Sequence, residues 1–303
     1  MKNNKLYFIH CLSPVHVGTG QGVGLVDMPI IRERITEWPF IPGSSMKGVY
    51  REHFHSRQSQ RWIEAAFGTS NDEEGNAGAI VLSDSKLLAF PVSSRYGTFA
   101  YVTCPLAIKR MIRETEAAGI TIPPIDIQQF EQILDIKTDE GDEKALVTRS
   151  NKTCSKRYIY LDEFKCIGEQ DDSADLDNWV SWLSQQLFSD ELSRSMFTER
   201  FVLVSDDAFQ YFVTMCCETM TRIRISSETK AAEAKALWTE EYLPEESVLY
   251  GTVWCDKVYG SSASITPQHL LDALSGDISL QIGGNASVGK GRVCCRYAEG
   301  DGR

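Results

Sequence analysis

"GGNASVGKGRVCCRY", residues 283–297, is the stretch whose reading decides the fold class. Gly284, four residues, then Gly289 and Lys290 match the G-x-x-x-x-G-K spacing of a triphosphate-binding loop. That loop requires Ser or Thr next, to hold magnesium, and Gly291 stands there instead. It also requires a helix whose N-terminal amides face the phosphates, but "RVCCRY" reads as a strand and no helix fits before Arg303. The glycine loop therefore joins two strands. Backbone N–H groups and one cation at such a turn still suit phosphate, provided that the phosphates belong to a polymer rather than to ATP.

Working outward, "ISLQIGG" (278–284) and "SVLYGTVWC" (247–255) read as strands separated by a helix at about 266–275. "KLYFIHCL" (5–12) is apolar on both faces, as a central strand must be. "IPGSSMKGVYREHFHSR" offers Ser44 as an N-cap and sets Met46, Val49, Tyr50 and Phe54 at helical spacing. Lys47 and Arg51, four apart, share the flank of that helix. "AIVLSDSKLLAFPV" (79–92) suggests two short strands around a turn at Ser83–Ser85, and "CPLAIKRMIRETEAAG" (104–119) a helix stopped by Gly119. A helix over 180–192, a strand at 200–204 and a helix capped by Ser205 follow. Helices and short strands alternate, so the expected class is α+β with an antiparallel sheet.

The 303 residues are 42% hydrophobic, enough for one large or two modest cores. No apolar run approaches the roughly 20 residues of a membrane span. "MKNNKLYFIHCL" is too short and too polar for a signal peptide, so the expected location is cytoplasmic, with no membrane partner. Nine cysteines without a C-x-x-C spacing read as reduced core residues rather than a zinc site. A net charge of −11 excludes wide, non-specific contact with nucleic acid but leaves room for a local basic groove. Acidic runs at 72–75, 139–143 and 169–177 read as solvated loops.

Two stretches break the pattern of a plain core. "TRIRISSETKAAEAKALWTEEYLP" has alternating arms around a polar centre, which suits a hairpin projecting from the body. On that reading Glu240, Glu241 and Tyr242 belong to an exposed arm. "SPVHVGTGQGVGLVDMPIIRE" (13–33) carries glycines at 18, 20, 22 and 24, so its backbone can approach a ligand closely. Asp27 follows among Leu25, Val26, Met28 and Pro29. It is either a catalytic group or metal ligand at a loop tip, or a turn residue capping its own backbone. His16 precedes the glycines, and a lone histidine near a strand end is more often structural than catalytic.

"GLVDMPIIRE", "PFIPGSSMKGVYRE", "PVSSRYGTFAYVTCPL", "TEEYLPEESVLYG" and "GGNASVGKGRV" together, in order and spacing, resemble the RAMP superfamily. Within it they are similar to the repeated backbone (fourth) subunit of type III-B, or Cmr, CRISPR effector complexes. The resemblance spans about 13–293 but leaves much of 60–90 and 120–200 uncovered. It implies a single RAMP domain over 1–303 with an RRM-like (ferredoxin-like) antiparallel-sheet core, a thumb hairpin at 219–249 and an inserted, mainly helical region at 120–195. It also implies copies stacked helically along a CRISPR guide RNA, beside other Cmr subunits including the large polymerase-like one. Each copy would be an endoribonuclease cutting complementary target RNA near its own thumb, with a divalent ion (Mg2+ or Mn2+) held jointly with RNA phosphates. On matching positions, Asp27 corresponds to the cleavage aspartate and possible metal ligand; His16, Glu240 and Tyr242 correspond to residues assisting cleavage. Lys47, Arg51, Gly284, Asn285, Ser287, Gly289, Lys290 and Gly291 correspond to guide-RNA contacts. A guide-binding scaffold without cleavage and a stand-alone endonuclease that matures precursor guide RNA are the alternatives. The thumb and the lack of a dense histidine or basic cluster weigh against the last.

Overall fold

β1 (Asn4–Cys11) is the central strand that its two apolar faces demand. Tyr7, Ile9 and Cys11 enter one core, Leu6 and Phe8 the other, and all five are fully buried. The computed structural model describes residues 4–20, 22, 26–69, 77–136, 142–226, 228, 230, 232–255, 257–258 and 265–298. Gly24 and Leu25, and the acidic run 72–75, lie outside the described residues, as does most of 139–143.

β1 pairs antiparallel with β12 (Val248–Cys255) on one edge and β14 (Arg292–Tyr297) on the other. β13 (Asp277–Gln281) extends the sheet beyond β14, and β4 (Ser85–Ser94) extends it beyond β12. The short β2 (Phe40–Ile41) lines β4. β3 (Ile80–Leu82) and the start of β4 lie end to end along β12, against 253–255 and 248–250, rather than against each other.

The far half of β4 leaves this sheet. It pairs with β5 (Thr98–Thr103), which runs parallel to β9 (Phe201–Leu203). β6 (Glu143–Val147), β8 (Phe164–Gln170) and β7 (Tyr158–Leu161) continue from β9 until Leu161 meets Ser94, closing a ring of six strands. The region 120–195 is therefore not mainly helical. "EKALV" and "FKCIGEQ" are short strands, and ring closure buries Ala145, Leu146 and Val147.

One core is covered by α1 (Gly43–His55), α2 (Gln60–Phe67), α7 (Asp206–Met215) and α8 (Pro267–Asp272). The other is covered by α3 (Pro105–Ala118), α4 (Ile127–Leu134), α5 (Asp175–Leu187) and α6 (Glu191–Thr198). Gly119 ends α3 in the left-handed conformation, and the Ser205 hydroxyl caps α7, as the sequence indicates. α1 starts one residue before Ser44, and the Gly43 amide is satisfied by Asp84 from across the chain, so Ser44 is no cap. The helix expected over 180–192 begins earlier and stops at Leu187, where Phe188 turns extended. The acidic run 169–177 is not simply a solvated loop. Asp171 is buried and accepts hydrogen bonds from the Ser173 and Leu176 amides, and Asp175 and Asp177 occupy the first turn of α5, where the helix dipole favours carboxylates.

β10 (Glu218–Ile225) and β11 (Ala232–Tyr242) form a hairpin whose strands make a separate two-stranded sheet. It matches the expected thumb at 219–249 except at its end, where residues from Val248 belong to β12. The glycine loop joins the antiparallel strands β13 and β14 through a 3-10 turn at Ala286–Val288. Gly283, Asn285, Gly289 and Gly291 all have positive φ, between 63° and 81°. At Gly291 a Cβ would lie 2.1 Å from the Ile282 carbonyl oxygen, while at Gly284 its nearest neighbour would be 3.6 Å away.

Gly291→Ala should therefore cost at least the roughly 1–2 kcal/mol of a left-handed alanine, whereas Gly284→Ala should change stability by no more than about 0.5 kcal/mol. Urea unfolding of the two variants beside the parent protein checks this, and equal losses would contradict the loop geometry.

Candidate functional site

Three stretches far apart in sequence meet at the base of the hairpin. The segment 13–33 doubles back on itself, with Ile31 N–H donating to the Val17 carbonyl (2.8 Å) and Gly18 bridged to Ile30. Its ascending arm joins the chain leaving β11 through Val15 and Leu243, and its descending arm lies along the edge of β11. There Met28 N–H donates to the Thr239 carbonyl and Glu241 N–H to the Met28 carbonyl, both at 3.0 Å. The glycine loop closes over the same segment: Gly284 N–H donates to the His16 carbonyl and Gly291 N–H to the Pro14 carbonyl, both at 2.9 Å. A Cβ on Gly283 would lie 2.1 Å from the His16 oxygen, which is why glycine is required at that crossing.

Asp27 is exposed where the descending arm meets β11. Its Oδ2 accepts from the Thr239 amide (2.8 Å) and hydroxyl (2.9 Å), and its own N–H donates to the Thr239 hydroxyl oxygen (3.0 Å). The carboxylate thus caps the hairpin strand rather than its own turn. These Thr239 hydrogen bonds hold its pKa below the ordinary aspartate value. Oδ1 makes no hydrogen bond among the described residues, and Asp27 lines a cavity of about 420 Å³ together with Gly22, Met28, Arg224 and Trp238.

Glu240 and Tyr242 are not an exposed arm. Both are buried, with 4% and 0% exposure, because the 13–33 segment and the glycine loop cover their face of β11. The Glu240 carboxylate receives Trp238 Nε1–H at 2.8 Å on one oxygen. The other oxygen receives the Tyr242 hydroxyl, Arg222 Nε–H at 3.1 Å and the Asn285 amide at 2.9 Å. Arg222 and Asn285 also donate to the Tyr242 oxygen, at 3.1 and 2.9 Å. Burial alone would raise the Glu240 pKa, but the hydrogen bonds from Tyr242, Trp238 and Arg222 outweigh it and hold it below the ordinary glutamate value. Burial and the adjacent Glu240 carboxylate raise the Tyr242 pKa, keeping the phenol protonated.

His16 is buried beside Tyr242, with ring centroids 5.5 Å apart, and its Nδ1–H donates to the Glu241 carbonyl at 2.7 Å. That bond fixes the tautomer and leaves Nε2 against Gly18, where a Cβ would lie 2.7 Å away. Lys290 stands with its ammonium 5.0 Å from the centre of the Tyr242 ring, a cation–π contact at the loop's edge. Asn285 directs its side-chain amide nitrogen to Glu240 and Tyr242, and Ser287 is exposed. Lys47 and Arg51 sit half-buried on the flank of α1 and, among the described residues, make no ion pair or hydrogen bond to this cluster.

Sequence reasoning missed Thr239, Arg222, Trp238, Arg32 and Glu241. Arg32 Nη2 donates to Glu241 at 2.6 Å, while Ile30 N–H donates to the same carboxylate at 3.0 Å, tying "IIRE" to the hairpin base. A period-two reading of "LWTEEY" places Trp238, Glu240 and Tyr242 on one face, but nothing in the string shows that this face is covered.

The 13–33 segment, the hairpin and the glycine loop meet around Glu240 and Tyr242, and the chain that arranges them belongs to the RAMP superfamily, whose model matches residues 8–294. It is similar over nearly its whole length to the "CRISPR system Cmr endoribonuclease Cmr4" of Pyrococcus furiosus, 33% identical over 288 residues that cover 94% of this chain and 92% of that one. The "CRISPR system CMR subunit Cmr4" of Saccharolobus solfataricus is 23% identical, covering 97% and 96%. The crystal structure of oligomeric Cmr4 from Pyrococcus furiosus superposes with a TM-score of 0.73 at 27% identity, covering all of both chains. A chain of the type III-B Cmr-beta complex bound to cognate target RNA shares the fold, with a TM-score of 0.71 at 20% identity and 98% of each chain covered.

Because the folded-state pKa of Glu240 is depressed, its network adds stability above the unfolded glutamate pKa of about 4.3 and loses it as pH falls through the lower folded value. Protection of the amides across 218–242, taken relative to the unstructured exchange rate at each pH, should fall on acidification below about pH 4 in the parent protein. Glu240→Gln, which cannot titrate, should flatten that acid response.

Proposed function

We propose that this protein is a repeated backbone subunit of a type III-B CRISPR RNA-guided effector, binding guide RNA and cleaving complementary target RNA at regular intervals. The observation that carries the reading is an exposed, pre-fixed Asp27 where the 13–33 segment meets the hairpin, in a chain 33% identical to a Cmr endoribonuclease. The RRM-like part of the reading is supported by strand order β14-β1-β12-β4, all antiparallel, with α1 and α8 in the two crossovers. The other complex members, including the large polymerase-like subunit, and a helical stack of copies are part of the same proposal.

RNA brings its own nucleophile, the 2′-hydroxyl, so the protein's task is to hold attacking and leaving oxygens in line and to stabilise developing charge. Asp27 is the acidic group at the reacting end, and Thr239 keeps it ionised and aimed. His16, Glu240 and Tyr242 assist by position: the histidine joins the glycine loop to β11, and the buried pair locks the hairpin's angle. Lys290 and the exposed Ser287 of the glycine loop, with the Lys47 and Arg51 flank, supply the guide-phosphate contacts.

A divalent ion fits this site only in part from the protein side. Among the described residues no three His, Cys, Asp or Glu side chains form a metal-binding group, and Asp27 offers one uncommitted oxygen. Mg2+ or Mn2+ held by Asp27 together with RNA phosphates and water would supply charge stabilisation of the phosphorane.

Asp27→Ala should retain assembly and guide binding while losing target cleavage by at least about 100-fold, the lower end of the effect of removing a group engaged in the transition state. Reconstituted complexes given labelled target should yield a ladder of evenly spaced cuts from the parent and intact target from the variant. A parent complex that binds target without cutting it would instead favour a scaffold role. Lys47→Ala with Lys290→Ala should weaken guide retention and reduce the salt slope of binding by about 1–2. An unchanged slope would mean that the guide runs elsewhere.

A further inference from the structure

We infer that the outer face of β7, with the turn that leads into it, is a second contact for single-stranded RNA, separate from the glycine loop. The inference rests on the RNA-guided reading above and deepens it by giving the six-strand ring a ligand. In strand order the ring lies beyond β4, at the opposite end of the sheet from β13, β14 and the loop between them.

The turn carries backbone strain. Ser155 and Tyr158 exchange both of their backbone hydrogen bonds, at 2.9 Å each, so Lys156 and Arg157 are the two central residues of a tight hairpin. Both have positive φ, 51° and 71°. That pair of conformations defines the type I′ turn, which prefers Asn followed by Gly because other side chains crowd the backbone there. Gly168 N–H donates to the Arg157 carbonyl at 2.8 Å and so fixes the turn against β8. Two long cations thus stand where turn preference alone would place Asn and Gly, and backbone strain of this kind gathers at ligand sites.

The chemistry around the turn suits a nucleic acid. Residues 149–165 hold five basic side chains and two acidic ones, in a chain with 31 basic and 42 acidic. Lys156 and Arg157 are exposed and make no ion pair among the described residues. With Gln170 they line a cavity of about 500 Å³, and the carboxylate in its wall, Glu169, is neutralised by Lys144 at 2.8 Å. Beyond the turn, Ile159 and Leu161 are fully buried inside the ring, which puts Tyr158 and Tyr160 on its outer face. Lys165 Nζ stands 4.7 Å from the centre of the Tyr158 ring, and the Arg95 guanidinium 5.2 Å from that of Tyr160. Aromatic rings for bases, each beside a cation for the adjoining phosphate, favour an RNA strand over a protein segment. Stacking reads no hydrogen-bond code, so the contact tolerates any sequence.

The test exchanges the strained pair for the residues that the turn prefers. Lys156→Asn with Arg157→Gly removes both cations and eases the backbone, so urea unfolding should show a stability equal to or above that of the parent. Guide-loaded complexes containing either chain are then titrated with a labelled oligouridine that does not pair with the guide. The double variant should bind at least about 5-fold more weakly, with a salt slope lower by about 1.4, the share of two phosphates. Tyr158→Leu should weaken binding by about 5-fold or more, while Tyr158→Phe should bind as the parent does. Thiouridine placed in the guide, in the unpaired flanks of the target or in the oligouridine identifies the source, because ultraviolet light should join one of them to the peptide that holds Tyr158. Equal binding by parent and double variant would overturn the contact and leave guide binding and target cleavage standing. So would the absence of any RNA crosslink to that peptide, the result expected if another protein covers this face. If no guide-loaded complex forms, the RNA-guided reading fails, and the same titration of the isolated chain decides the contact.

Discussion

The site depends on one buried carboxylate. Glu240 accepts four side-chain donors, from Trp238, Arg222, Tyr242 and Asn285, and these reach it from both hairpin strands and from the glycine loop. A carboxylate 4% exposed is costly unless every lone pair is engaged, so the network tolerates little displacement of any of its members. Leaving such a group short of a partner costs about 1–3 kcal/mol, enough to favour one placement of the hairpin over neighbouring ones. That is how a two-stranded element, marginal on its own, acquires a fixed angle at its base.

Around this anchor the backbone does most of the remaining joining. The segment 13–33 is stitched to β11 and to the glycine loop by main-chain hydrogen bonds at Val15, Met28, Gly284 and Gly291. Main-chain contacts at such close range need residues without a Cβ, and Gly283 and Gly291 meet that requirement in left-handed conformations. The turn that they close carries Lys290 at its edge, over the Tyr242 ring. In a chain with a net charge of −11, the guide contact proposed at this small cationic edge would not require the whole surface to be adhesive to nucleic acid.

The catalytic candidate is the opposite kind of group. Asp27 is exposed, and among the described residues its carboxylate is restrained by Thr239, through two hydrogen bonds to one oxygen. A buried network that fixes the frame and an exposed carboxylate that keeps one oxygen open divide the work between order and access. The two meet in adjacent residues of one strand, so a shift of the hairpin would carry Thr239, and with it Asp27, out of place.

Much was legible in the string. Apolar runs on both faces marked β1, Gly119 and Ser205 marked helix ends, and the missing Ser or Thr after Lys290 removed the triphosphate reading and left a strand-to-strand turn. These features are local, set by side-chain period and backbone preference within a few residues. The resemblance of five spaced motifs singled out Asp27, His16, Glu240 and Tyr242, which the fold indeed brings to one place, at the hairpin base. The six-strand ring was hidden because β6 to β8 are four to seven residues long and are stabilised by pairing across the chain rather than by their own pattern. So were the burial of Glu240, the capping of Asp27 by Thr239 and the pinning of Trp238. Sequence by itself determined which residues can bend, cap, alternate and carry charge. Only the tertiary structure decided which carboxylate was buried and which was left open, because desolvation and hydrogen bonding depend on segments more than 200 residues apart, such as Asp27 and Thr239 with |i−j| of 212.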